Sequence, residues 1–583
     1  MYQNKNLLFH YSEGEQTRFK SLKTEHKPSQ DIQMSDKTDG IKQAVHRSYT
    51  SPPKYSEIVP GVPEDYKQIH TLGQLLELSY KDASVEEQMR GNLISKRKRN
   101  EEPYPGIIGY DEDVVPATDR AILSGHDIIY IGEIGQAKTK LAETIAKNLL
   151  SPIPSIKGCV IHDIPTSLPE QDMISFLSGE EVVHTSPEFH ICNECEQKIR
   201  DDKLDTEIEW TDGTDRYRYV LATPDISVKD LVGQIDAIKI AKKGVEIYSI
   251  ESYSPGQLLQ SRHGILCIDE LPVLDPRKQV ALLSVLQEGK FTTGAYPVIF
   301  KPESRIIATA NPIDYTHSGK IIEPLFDRLR SHVDTHYPRT VEQEMAIMVQ
   351  EAKINDGKAF LPIFILRTLA RITHMAREHP DVNKDKGVSV RMSIHGLELL
   401  LGEAFRTRAL YHDVDAIPRP CDMYSIQQAS KFELSEVEDN RENRIKILDM
   451  LIEEALKQTA LEYISGLNPD QLAKIKTEFA KNKTFEASQN VLGSDSGSID
   501  YRNQLEKFPT LKQVVTDVSE MVKKDQGEFA EGIKKYNIDS AIITVKDNMN
   551  GEFTASVAEI VLEGLRWLKP PVVDKKEKGY VST

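Results

Sequence analysis

The chain has 583 residues, 39% of them hydrophobic, with 90 Asp and Glu against 73 Lys and Arg for a formal net charge of −17. That length suits two to four domains, no run of about 18 apolar residues marks a membrane span, and the acidic balance argues against broad attraction to nucleic acid or anionic lipid. Five cysteines are too few for a disulfide scaffold, and the opening Met1-Tyr-Gln-Asn-Lys-Asn lacks the charged, apolar, small-residue order of a secretory leader, so a cytoplasmic location is expected.

Residues 1–100 read as a flexible tail and linker: they are polar, contain the stretch Ser51-Pro-Pro-Lys-Tyr-Ser-Glu-Ile-Val-Pro60, and predict one short helix around Leu72, Leu75, Leu76 and Leu78. The run Lys96-Arg-Lys-Arg99 reads as a solvated boundary. Folded structure is expected from Pro103-Tyr-Pro-Gly-Ile-Ile-Gly-Tyr110, with a helix over Val114–Leu123 and a buried strand over Asp127–Ile131. The chain then turns through Gly132-Glu133-Ile134-Gly135-Gln136-Ala137-Lys138-Thr139 into a helical pattern, Lys140–Leu150. A strand that turns sharply into a helix leaves backbone N–H groups without intrahelical partners, aimed with the helix dipole at whatever docks there, and polyphosphate is the natural guest. Lys138 suits the β- and γ-phosphates, and the Thr139 hydroxyl a magnesium ion bridging them. Ala137 departs from G-x-x-x-x-G-K-[ST], and its methyl fits if φ is negative.

After Leu150 come a strand candidate, Cys159–His162, and a weakly periodic polar stretch over about 163–225 that reads as an insertion. Within it Cys192-Asn-Glu-Cys195 has the spacing of one half of a zinc site, the other ligands to be found among His184, His190 and Cys159; a pair of reduced thiols in a loop is the alternative. A redox role is disfavoured because the motif does not open a helix after a strand.

Gly264-Ile-Leu-Cys-Ile-Asp269-Glu270 is an apolar run ending in two carboxylates, a buried parallel strand with acids at the end where open α/β sheets bind ligands. Asp269 is placed to hold magnesium through its water shell, and Glu270 to orient and polarise an attacking water. A helix over Lys278–Glu288 follows, then a hairpin over Lys290–Phe300, and a second apolar strand, Arg305–Asn311, ends on an amide able to reach a γ-phosphate or the lytic water. Arg328 and Arg330 stand beside an apolar segment, where an arginine can serve a transferring phosphoryl group or simply pair with Asp327. Helical patterns over Val341–Lys353, Leu361–Arg377, Met392–Ala409 and Glu442–Ala460 predict a helical domain, with Arg391 at a helix start, an unfavourable place for a cation unless an anion compensates.

Together these motifs resemble an AAA+ ATPase, and more narrowly the magnesium-chelatase ATPase subunits and MoxR-type ATPases. Leu231-Val-Gly-Gln-Ile-Asp236, Pro255-Gly256 and Leu286-Gln-Glu-Gly289 strengthen the resemblance. It implies a doubly wound parallel sheet, here over 101–340 and carrying the insertion, and a helical lid, here over 341–460; the helical extension over 461–583 is read from the sequence pattern and has no counterpart in the family. It also implies ATP and Mg2+ as cofactors, self-association into a ring, commonly of six, and a partner with a von Willebrand A-like domain in protein remodelling or metal insertion. By position, Lys138 and Thr139 match the Walker A residues, Asp269 and Glu270 the Walker B pair, Asn311 sensor 1, Arg328 the arginine finger with Arg330 as alternative, and Arg391 sensor 2. A transcription activator of the sigma-factor-interacting type is less well matched. Thr293-Gly-Ala-Tyr296 lies after Glu270, and no basic recognition helix is visible, so direct nucleic-acid binding is not expected. A non-hydrolysing nucleotide-binding scaffold is the third reading.

Overall fold

The computed structural model describes residues 30–56, 59–180, 190–235, 253–288, 291–292, 299–300, 303–312, 320–353, 359–412, 414–429, 431–435, 437–480, 484–487, 498–544, 551–576 and 579–583. At the centre are five parallel strands: β1 (Ile128–Ile131), β2 (Tyr217–Leu221), β3 (Ile265–Asp269), β4 (Arg305–Ala310) and β5 (Ser331–Asp334), in the spatial order β5-β1-β4-β3-β2. The three central strands are near-continuous apolar runs because both their faces are covered. Ile129, Leu266, Cys267, Ile307 and Ala308 have at most 1% of their surface exposed. The helices Val114–Leu123 and Lys138–Leu149 flank β1, and Asp113 caps the first through its own carboxylate to the Val114 N–H at 2.7 Å.

The edge strand β2 lies inside the stretch expected to be an insertion, so the interruption of the sheet is shorter than its sequence suggested. An edge strand keeps one side in water; Tyr219 and Leu221 are exposed, and the resulting polar alternation hid the strand. Cys159–His162, expected as a strand, is a turn, because the pairing falls earlier, on Ile153–Ile156, which runs antiparallel to Ile208–Thr211.

That strand pair is the floor of a second body that also takes in residues expected to form a linker. Leu72–Glu77 is a helix with a capping box at Thr71, and Val85–Lys98 is another, capped by Ser84. Leu72 donates its N–H to the Thr206 carbonyl at 3.0 Å, and Trp210 donates its indole N–H to the Ile69 carbonyl at 3.0 Å. Val45, Leu72, Met173, Phe176 and Ile199 share one apolar cluster, so chain before and after the phosphate loop assembles a joint core. The basic run ends the helix Val85–Lys98 and is met by local acids, Arg97 by Asp119 at 2.8 Å and Arg99 by Glu101 at 2.7 Å.

Beyond β5 the chain is helical: Val341–Glu351, Ile363–Glu378, Arg391–Ala404, Arg441–Ile464, Pro509–Ile533 and Glu552–Trp567. The boundary expected at 460 falls within Arg441–Ile464, and one continuous apolar cluster runs from Met345 through Leu451 to Tyr580, so lid and extension share a core. A small antiparallel sheet, Phe485–Glu486, Gly579–Ser582 and Val573–Lys576, closes the C-terminal end.

Candidate nucleotide site

The loop after β1 is fixed by backbone and by one buried amide. Gly132 donates its N–H to the Ala310 carbonyl of β4 at 3.1 Å, and the Gln136 side-chain oxygen accepts from the Glu133 N–H at 3.0 Å and from the Thr335 hydroxyl at 2.7 Å. Gly135 has φ +84°, and a Cβ there would lie 2.0 Å from the Ser389 hydroxyl of the helical part, so both conformation and space require glycine. Ala137 departs from expectation: its φ is +53°, a left-handed conformation strained by about 1–2 kcal/mol for a residue with a Cβ. The position keeps the backbone that glycine would give. The Lys138 ammonium donates to the carbonyls of Gly132 and Glu133, the latter at 2.7 Å, so it arches over the loop.

Thr139 and Asp269, 130 residues apart, meet: the hydroxyl donates to the carboxylate at 3.3 Å. The same Asp269 oxygen accepts from Thr309 of β4, and the other accepts from the Tyr219 phenol of β2 at 2.8 Å. Three neutral hydroxyls therefore surround a half-buried carboxylate that forms no ion pair with any described cation, leaving its charge uncompensated. Partial desolvation against the sheet, followed by the hydrogen bond to Asp269, raises the Tyr219 phenol above its usual range, so it stays a donor.

Glu270 has φ +55° and ψ +45°, a conformation that costs a residue with a side chain about 1–3 kcal/mol and turns the carboxylate out of the strand direction. Its N–H donates to the Thr309 hydroxyl at 3.0 Å, so Thr309 bridges both acids. Asn311 follows Ala310, which is in register with Ile131, so the amide stands beside the start of the phosphate loop.

Arg391 is exposed and is the first residue of its helix. It lines a cleft of about 170 Å³ together with Gly135, Gln136 and Ala137, and the anion that would compensate its position belongs there. The apolar wall of the cleft comes from Ile107, Ile108, Tyr110, Ile347 and Ile394, residues the motif search passed over. Tyr110 fixes that wall by donating to the Gln136 carbonyl at 2.6 Å and the His336 carbonyl at 3.0 Å. The signal was present in Gly106-Ile-Ile-Gly-Tyr110, an apolar pair between glycines just ahead of a phosphate loop.

Arg328 and Arg330 are not brought to this crevice. Arg328 ends the helix Glu323–Arg328 and Arg330 directly precedes β5, whose first residue donates to the Asp127 carbonyl at the opposite end of β1, about 13 Å of strand from the loop. Among the described residues Arg328 forms no ion pair with Asp327 or any other acid. Thr293, Gly294, Ala295 and Tyr296, with Asp236 and His184, lie outside the described residues.

Residues 207–329 match the family described as the AAA domain of the dynein-related subfamily, a span from the strand Ile208–Thr211 through β2, β3 and β4 to Arg328. Over these residues the chain carries an AAA domain. The matched span of this AAA+ domain starts after the phosphate loop, and the Thr139–Asp269 contact joins the two parts. A curated relative, the uncharacterized protein YeaC of Bacillus subtilis, is 24% identical over 225 residues, covering 34% of this chain. The chain spans 63% of that relative's length. Among solved structures, NtrX from Brucella abortus aligns with a TM-score of 0.31 and 15% identity, covering 64% of this chain and 66% of that one. The complex of subunits BchI and BchD of magnesium chelatase aligns with a TM-score of 0.28 and 19% identity, covering 59% and 98%.

Proposed function

We propose that the chain is an ATP-hydrolysing AAA+ motor, whose turnover remodels a partner protein or drives metal insertion in the manner of the magnesium-chelatase and MoxR-type ATPases. The observation that carries this reading is the uncompensated Asp269 carboxylate, held against the Thr139 hydroxyl at the mouth of the phosphate loop. A carboxylate surrounded only by neutral donors attracts a cation, and Thr139 and Asp269 together would hold Mg2+, which supplies charge neutralisation of the β- and γ-phosphates. Lys138 reaches the phosphates by exchanging loop carbonyls for phosphate oxygens, and the base rests in the apolar cleft between Tyr110 and Ile394. Glu270 orients the attacking water, and Asn311 holds it or the γ-phosphate.

Arg328 lies away from its own chain's loop, which supports a ring, six-membered by the resemblance, in which a neighbouring copy accepts it. Arg391 contributes charge from the lid side. A partner with a von Willebrand A-like domain and a cytoplasmic setting belong to the same proposal; no helix among the described residues is long and apolar enough to cross a membrane. The activator reading and the non-hydrolysing scaffold have no comparable observation in their favour.

Phosphate release by the wild type, Lys138→Ala and Glu270→Gln tests the chemistry. Glu270→Gln is expected to retain ATP while losing about 10²- to 10⁴-fold in turnover, the usual contribution of a positioned base. Equal release by wild type and Glu270→Gln would remove hydrolysis from the proposal.

A further inference from the structure

Away from the nucleotide crevice, the turn after the strand Ile153–Ile156 and the start of the helix Asn193–Asp202 bring three sulfurs and a carboxylate together. The Cys159, Cys192 and Cys195 sulfurs and an Asp163 oxygen lie within 4.8 Å of one another. We propose that these four residues form a structural site for a thiophilic divalent cation, zinc above all, that staples the flanking body onto the AAA+ core.

The backbone is arranged for it. Cys192 is the N-cap of its helix and Cys195 lies one turn on, so both thiols point to the same side. Cys159 sits in a tight turn, its N–H on the Ile156 carbonyl and its own carbonyl accepting from His162, whose φ is +56°. Tetrahedral zinc with sulfur ligands at about 2.3 Å has ligand-to-ligand edges of about 3.8 Å, so the donors close on an ion with side-chain movements of about 1 Å.

The surroundings favour an ion over plain packing. Three cysteines alone pass as small apolar residues, but Asp163 is fully buried among them, and hydrocarbon would fill that space at lower cost. The carboxylate is oriented from both sides: one oxygen accepts from Arg262 at 2.6 Å, and the other, facing the sulfurs, accepts from the Cys192 N–H at 2.8 Å. A partner that fixes a ligand from behind is the usual outer layer of a metal site, and the positive Arg262 offsets the excess negative charge of three thiolates and a carboxylate around a dication. Four protein donors, with Asp163 and Cys195 buried, fill a tetrahedral shell as in closed structural sites.

The staple has a defined reach. It ties the turn 156–163 to the helix Asn193–Asp202, and through Asp163 and Arg262 to the turn leading into β3, whose far end carries Asp269. The sequence spacing pointed to Cys192 and Cys195, with Cys159 among the candidates for the remaining ligands. The fold brings Cys159 to the pair, and Asp163, which the sequence did not single out, supplies the fourth donor.

The test uses the full chain, stripped with chelator under reducing conditions and titrated with Zn2+ or Co2+ alone. The wild type is expected to take up one ion per chain and to show with cobalt the thiolate charge-transfer band and strong visible bands of a tetrahedral sulfur-rich site. Cys159→Ser and Cys192→Ser are expected to weaken binding at least about tenfold, whereas Cys421→Ser, away from the cluster, leaves it unchanged. Should a variant fail to fold, the wild-type cobalt band decides, because its intensity reports the number of coordinated thiolates. Uptake of neither metal by the wild type, equal uptake by Cys192→Ser, or a disulfide linking two of the three sulfurs in the freshly purified protein would overturn the site.

Discussion

The Asp269 carboxylate is half-buried, and its partners among the described residues are three neutral hydroxyls. Among the C-terminal helices, Arg408, Arg419, Asp422, Glu552 and Glu559 are each at most 4% exposed, and both arginines are paired with carboxylates. Arg419 reaches Glu552 at 2.7 Å and lies over the Tyr501 ring at 4.6 Å, Arg408 pairs with Asp422 and, at 3.4 Å, with Glu552, and Glu559 accepts from the Tyr501 hydroxyl at 2.6 Å. Burial of so many ions is costly, and only mutual pairing offsets it. The difference teaches how to separate architecture from chemistry in this molecule: in the buried network each arginine is paired with carboxylates, whereas the Asp269 carboxylate meets no cation among the described residues.

The comparison breaks most visibly at Arg328, which belongs to neither network. Arg328→Ala is expected to lower ATP turnover by about 10³- to 10⁵-fold with nucleotide affinity little changed. Mixing it with Glu270→Gln should restore turnover, because Glu270→Gln subunits lend their Arg328 to the intact acids of the other; no recovery on mixing would place the arginine's action within its own chain. The closed network is probed by Arg419→Leu, which leaves Glu552 and Glu559 buried with their pairing depleted. A loss of about 3–5 kcal/mol in unfolding free energy is expected from urea titration, and a loss below about 1 kcal/mol would mean that the pairs contribute little beyond packing. The smallest effect sharpens the open side. Ala137→Gly relieves the left-handed strain but adds unfolded-state freedom, for a net gain of no more than about 1 kcal/mol in thermal unfolding. Destabilisation there would show that the methyl packs usefully.

The candidate crevice was legible because its parts are local signals. An apolar run followed by Gly132–Thr139, and another ending at Asp269 and Glu270, each declare themselves within ten residues, and parallel sheet geometry then brings their ends together. What stayed hidden depends on distant chain. The apolar cleft joins Ile107 to Ile394, the flanking core joins Leu72 to Ile199, and the closed ionic network joins Arg419 to Glu552. Strand β2 escaped for another reason: as an edge its alternation looks polar. Ala137 shows the limit of arguing from side-chain size, since the loop kept a glycine-like backbone and tolerated the methyl at a conformational cost.

The contact between Gly135 and Ser389 is matched nearby, where a Cβ on Gly387 would fall 1.8 Å from a Glu133 oxygen. At Gly135 the fit is close enough that a displacement of the cradle would press on the segment carrying Ser389 and, through it, on the helix Arg391–Ala404, which runs on through Phe405–Ala409 to Arg408. In the proposed cycle the ion-paired core around Arg408 would be the anvil that receives that push.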